Sequence, residues 1–131
     1  MYKQIKKWVK KCYKGGAETD KRFGAIRVFY MPKHSMSNGY DTYELDLFKL
    51  EYNGARVGEF GVYSSAVKFG DSEDYEFWNA TFVTEMLMDH IEDAHIYAIK
   101  STKSLRDADK KNVKLANAHI KKLKKWKKRA K

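Results

Sequence analysis

The residues with the plainest chemistry are the cations at the C-terminal end. Lys121-Lys122-Leu123-Lys124-Lys125-Trp126-Lys127-Lys128-Arg129-Ala130-Lys131 places eight basic residues in eleven, with one tryptophan among them. Such a density repels itself in an isolated helix. It becomes favourable where it displaces the counterions condensed on a nucleic-acid backbone. Trp126 adds a ring on which an unpaired base can stack. Lys6, Lys7, Lys10, Lys11 and Lys14 near the N-terminus, and Lys114 further along, are candidates for the same phosphate contacts. Trp8 is a second candidate for stacking. The competing readings of a basic run are a solvated tail, a localisation signal, or a helix that neutralises acids elsewhere in the chain.

The acids offer two weaker constellations. Glu85, Asp89, Glu92 and His95 fall at i, i+4, i+7 and i+10, on one face of a helix, and Glu92-Asp93-Ala94-His95 has the Glu-x-x-His form of di-iron bundles. No second copy of that form exists, so the expected role is a solvated helix face. Asp41, Glu44, Asp46, Lys49 and Glu51 share one strand, as a magnesium-dependent nuclease would require. Their strict alternation instead suggests the polar outer face of an antiparallel sheet. His34, His90, His95 and His119 make no recognisable triad with a serine or with Cys12, and no glycine-rich phosphate loop is present. No cofactor or metal is expected. Asn79-Ala80-Thr81 matches a glycosylation sequon without a secretory context.

Composition sets the frame. The chain has 131 residues, 43% hydrophobic and 15% aromatic, enough for one packed domain. Its net charge of +10 is unevenly spread. Residues 1–14 carry +6, residues 15–99 carry −8 and residues 100–131 carry +12. The molecule reads as an acidic body between two basic ends. The ends outweigh the body, so neutralisation within the chain leaves basic surface over. A single cysteine excludes an internal disulfide, though Cys12 could link two copies in a homo-oligomer. No apolar run reaches the length of a membrane span, and the opening Met-Tyr-Lys-Gln-Ile-Lys-Lys-Trp, with no apolar stretch after it, is not expected to act as a secretory signal. The expected location is the cytoplasm, or the nucleus of a eukaryote.

These side chains must be positioned by a small set of elements. Tyr2, Ile5, Val9 and Cys12 mark the apolar stripe of a helix over residues 2–13, ended by Gly15-Gly16. Residues 25–31 form a strand stopped by Pro32, followed by a loop over 33–41. Residues 42–52 form a second strand, whose apolar phase shifts between Leu47 and Phe48 and so suggests a bulge. Asn53-Gly54 is a type I′ hairpin turn, and residues 55–63 return as the third strand. Asp71-Ser72-Glu73-Asp74 reads as a helix start, although 76–83 and 95–100 are rich enough in aromatic and β-branched residues to be strands. Ser104-Leu105-Arg106-Asp107 reads as a capping box opening a last helix, with Val113, Ala116, Ile120 and Leu123 on its apolar side. Residues 121–131 either continue that helix or project as a basic tail. The fold class is α+β: a three-stranded antiparallel meander flanked by an N-terminal amphipathic helix and two C-terminal helices, α-β-β-β-α-α, in a single domain.

The leading part of that order, α-β-β-β-α, resembles double-stranded-RNA-binding domains, and Met31-Pro32-Lys33-His34 resembles their Gly-Pro-x-His loop. In that family lysines open the helix after the third strand. Here Asp71-Ser72-Glu73-Asp74 stands there, so the family is not adopted. The short, charge-polarised, aromatic-rich chain also looks like accessory proteins of phages and mobile elements. The expected function is non-enzymatic nucleic-acid binding through the basic terminal helices. The alternative is a phage-type regulator or inhibitor whose partner is a host nuclease or a ribonucleoprotein defence complex. A small metal-dependent nuclease ranks third.

Overall fold

The computed structural model describes residues 1–64, 79–101 and 107–130. Helix α1 spans Tyr2–Gly15 and buries Ile5, Trp8, Val9 and Cys12, the stripe set by its sequence. Gly16 closes it in the left-handed conformation, and its amide donates to the Cys12 carbonyl at 3.0 Å. Four strands follow: β1 (Thr19–Phe23), β2 (Ile26–Ser37), β3 (Thr42–Tyr52) and β4 (Ala55–Tyr63). They pair antiparallel in chain order. Asn53 and Gly54 both have positive φ, as a I′ turn requires. Helix α2 spans Ala80–Lys100 and helix α3 spans Asp107–Ala130.

The helices cover one face of the sheet. That face carries Ile26, Val28, Tyr30, Phe48, Leu50, Tyr52 and Phe60, all buried in one core. Helix α1 docks through aromatic edges: Trp8 lies 5.7 Å from Phe23 and 6.2 Å from Phe48, and Tyr13 lies 5.2 Å from Tyr30. Helix α2 packs beside it, with Val83, Leu87, Met88, Ile91, Ala94 and Ala98 inward. Helix α3 lies on α2 and inserts Ala116 and Leu123, both fully buried. The architecture is the expected α+β arrangement, with one strand added to the meander.

That strand, β1, reads Thr-Asp-Lys-Arg-Phe and buries Phe23 alone. Pairing with β2 across Gly24-Ala25 makes it a strand, not its own composition. Pro32 does not end β2. It sits where the register with β3 shifts, between Met31 and His34, so no ladder amide is needed there and the strand runs on to Ser37. The remaining loop, 38–41, closes on Asn38, whose side-chain oxygen accepts from the amides of Tyr40 and Asp41. The apolar phase change in β3 has another cause than a bulge at that point. The strand stays in register there, and Leu45 and Leu47 lie on the opposite face from Phe48, Leu50 and Tyr52. The register shift falls later, between Leu50 and Glu51.

Residues 80–100 are helical throughout, which decides between helix and strand for that stretch. Asn79 caps the helix, its side-chain oxygen accepting from the Phe82 amide at 3.0 Å. It is 1% exposed, so the sequon asparagine is a buried cap. The Asp71 helix start, the strand reading of 76–78 and most of the Ser104 capping box lie outside the described residues. Cys12 is 1% exposed, with burial pushing its thiol up to about 12, so an intermolecular disulfide is closed to the folded chain. Among the described residues, no helix is long and apolar enough to cross a membrane.

Candidate nucleic-acid interface

Helix α3 has one covered side and one open side. Asn112, Val113, Ala116, His119, Ile120, Leu123, Trp126 and Lys127 are buried or half-buried at helical spacing. Exposed along the helix are Lys110, Lys111, Lys114, Lys121, Lys122, Lys124, Lys125 and Lys128. Among the described residues, none of these eight lysines is in an ion pair with an acid. Arg129 lies in the last turn of the same helix. The basic end is thus a helix continuous to Ala130, held by Leu123 at zero exposure.

Helix α1 presents Lys7, Lys10, Lys11 and Lys14 to solvent, opposite its buried stripe. Lys6 is half-buried. Its ammonium donates to Thr81 Oγ1 at 3.1 Å and lies 5.9 Å from the centre of the Tyr2 ring, so it ties α1 to the start of α2. The two basic helices meet where Tyr2 stacks on Trp126, ring centres 4.4 Å apart and planes 13° from parallel. One face of Trp126 is therefore already covered by the protein. Trp8, 7% exposed and edge-on to Phe23 and Phe48, is core and cannot stack on a base.

Lys127 departs from the other α3 lysines. Its ammonium bonds Glu92 at 2.6 Å and Asp89 at 3.1 Å. The hydrogen bond to Glu92 is the main reason that its pKa rises. Two of the acids that suggested a metal site, Asp89 and Glu92, are the counter-charges that dock α3 on α2. His95 completes the separation, because its Nε2–H donates to the Phe23 carbonyl at 3.0 Å in a fully buried position. Among the described residues, no group of three or more metal-ligating side chains comes together.

The strand carboxylates are also dispersed. Asp46 is 4% exposed and turned under the helices, against the expectation of an outward polar face. Its Oδ1 accepts from the Lys33 amide at 3.0 Å and the Ser64 hydroxyl at 2.8 Å. It thereby holds Lys33, a non-glycine residue at φ 49, in the bulge of β2. Alternation along β3 places Lys49 and Glu51 on the other face. Burial, with Asp46 nearby, pushes the Tyr13 hydroxyl far up.

Two features lay outside the sequence reading. His95 and His119 stack with ring centres 5.3 Å apart where α2 meets α3. Gly24, at φ +62, seats the β1–β2 turn directly on both rings; a Cβ there would lie 2.6 Å from His119 Cδ2 and 2.8 Å from His95 Nε2. No protein-family model, curated protein or solved structure matches this chain.

Proposed function

We propose that this chain is a non-enzymatic nucleic-acid-binding protein that grips phosphates through the exposed lysines of α3, supported by those of α1. The observation that carries the reading is the open side of α3. Its apolar side is satisfied by α2, its acid-paired lysine is Lys127, and eight further lysines face solvent on one rigid element. A helix whose charge served only to neutralise the body would spend more of it on the body's acids. Ordered cations on a folded scaffold lose little entropy on meeting a polyanion, and the released counterions drive association.

Lys114, Lys121, Lys122, Lys124, Lys125 and Lys128 form the main contact set, with Lys7, Lys10, Lys11 and Lys14 as a second patch. Lys6, Lys127 and Trp126 position these helices, since each is already engaged within the protein. Replacing Lys121, Lys122, Lys124 and Lys125 together with glutamine tests the assignment by fluorescence anisotropy on labelled nucleic acid. All four are exposed, so the fold is retained, and affinity falls at least tenfold across sequences. Unchanged affinity removes these four lysines from the site.

A further inference from the structure

The face of the sheet turned away from the helices is not built to meet water. An antiparallel sheet covered on one side usually presents polar residues on the other. Here the outward positions of β3 run Tyr43, Leu45, Leu47 and Lys49, with Asp41 one step before them in the loop. Leu47 is buried, yet it is not part of the helix-side core. It lies across its cross-strand neighbour Gly61, where a Cβ would stand 2.8 Å from Leu47 Cδ2, and this keeps the face flat. Tyr63 pairs with Leu45, meets the Tyr43 ring edge-on at 5.9 Å and is 56% exposed. Met36, opposite Tyr43, is also exposed, and Tyr40 in the loop is 95% exposed. Three of the five large exposed hydrophobic side chains among the described residues therefore gather at one end of the sheet.

The flanking strands stop short of that end. The β1–β2 ladder ends at Thr19 and Tyr30, and the β3–β4 ladder ends at Tyr63 and Leu45. The pairs Met36–Tyr43 and Ser37–Thr42 thus form a two-stranded ribbon beyond both. Such a ribbon is marginal in water without an apolar layer against it. We propose that the layer is a second copy of this chain, packed outer face to outer face about a two-fold axis at Leu45. Charge selects this occupant. Residues 34–45 hold Asp41 and Glu44 but no lysine or arginine, so a polyanion is repelled. The outward stripe of β3 is complementary to itself. Asp41 and Lys49 stand four residues either side of Leu45, about 14 Å at 3.4 Å per residue. Two stripes laid antiparallel set Asp41 of each copy against Lys49 of the other and close Tyr43, Leu45 and Leu47 between them. Laid parallel, they would oppose like charges. Among the described residues neither Asp41 nor Lys49 is in an ion pair, and Glu59 beside Lys49 is held by Arg56 at 3.0 Å. The helices lie on the other face of each sheet, so the dimer leaves the lysines of α3 to solvent.

The test is sedimentation equilibrium on the full chain between about 1 and 100 μM. It is run without nucleic acid, so its failure leaves the reading of α3 untouched. The variants are Asp41→Lys, Lys49→Glu and the two combined. Asp41 is exposed and Lys49 half-buried, and circular dichroism checks that each variant keeps the fold. The parent is expected to dimerise. Each single variant opposes like charges at both ends of the stripe and is expected to raise the dimer Kd about tenfold. The double variant restores opposite charges across the axis and is expected to return the Kd to within about threefold of the parent. A structural defect in the single variants would add in the double variant instead of cancelling. A parent that is monomeric at about 100 μM overturns the proposal. So does a dimer that ignores both single changes, or one that the double change does not restore.

Discussion

At the scale of single residues, the buried polar groups separate structural from functional side chains. Asp46 stands among strand acids that alternate as a solvated face would, yet it lies under the helices and anchors the bulge at Lys33. Nothing in its neighbours' types marks this out, because the bulge that recruits it is in a different strand. Removing a buried acceptor leaves its donors unsatisfied, at about 1–3 kcal/mol. Asp46→Ala is expected to lower stability by that amount in urea unfolding, with nucleic-acid affinity unchanged under native conditions. The lysines behave oppositely. Their position on α3 follows directly from helical spacing, so the exposed set was legible in the sequence. The engagement of Lys127 with Asp89 and Glu92 was not, since it depends on how α3 crosses α2.

At the scale of elements, helices α1 and α3 and the Asn53-Gly54 hairpin were legible because each carries its own signal, apolar periodicity, a glycine stop or a turn dipeptide, whereas α2 stayed open between helix and strand because its aromatic and β-branched residues suit both. Strand β1 lacks one. Its only local mark is the Phe23-Gly24-Ala25-Ile26 turn, with glycine at the first central position of a two-residue hairpin. That turn rests on His95 and His119, so three elements meet at one point. Gly24→Ala is expected to destabilise by about 1–3 kcal/mol, from the crowding of both rings and the positive φ, as read by a lowered urea midpoint. The same junction sets a pH dependence. Burial, and then the neighbouring His119, push His95 down to about 4 from an ordinary 6.5. Burial, Lys122 and the N-terminal ammonium push His119 down as well. The folded state stays neutral where the unfolded chain takes up protons. Stability is therefore full above about pH 6.5 and falls as the pH drops toward 4. His95 alone accounts for roughly 3 kcal/mol of that fall. His95→Gln, which keeps a donor for the Phe23 carbonyl, is expected to flatten the urea-midpoint curve between those values.

At the scale of the whole molecule, the division into an acidic middle and basic ends resolves into layers. The sheet and α2 form the body, and α3 caps α2 with its lysines outward. Composition alone could not choose between a solvated tail and a docked helix; Leu123 and Trp126, spaced to reach α2 and Tyr2, decide it. For the same reason, cutting the chain at residue 120 would remove core packing together with charge. The four-lysine variant removes charge alone. The most direct measurement is the salt dependence of duplex-DNA binding for the parent and that variant, by anisotropy between about 50 and 300 mM salt. Each phosphate contact adds about 0.9 to the slope of log affinity against log salt. Loss of Lys121, Lys122, Lys124 and Lys125 is expected to make the slope shallower by about three to four, with affinity falling in parallel. Equal slopes for parent and variant would mean that Lys121, Lys122, Lys124 and Lys125 touch no phosphate, contradicting the central assignment.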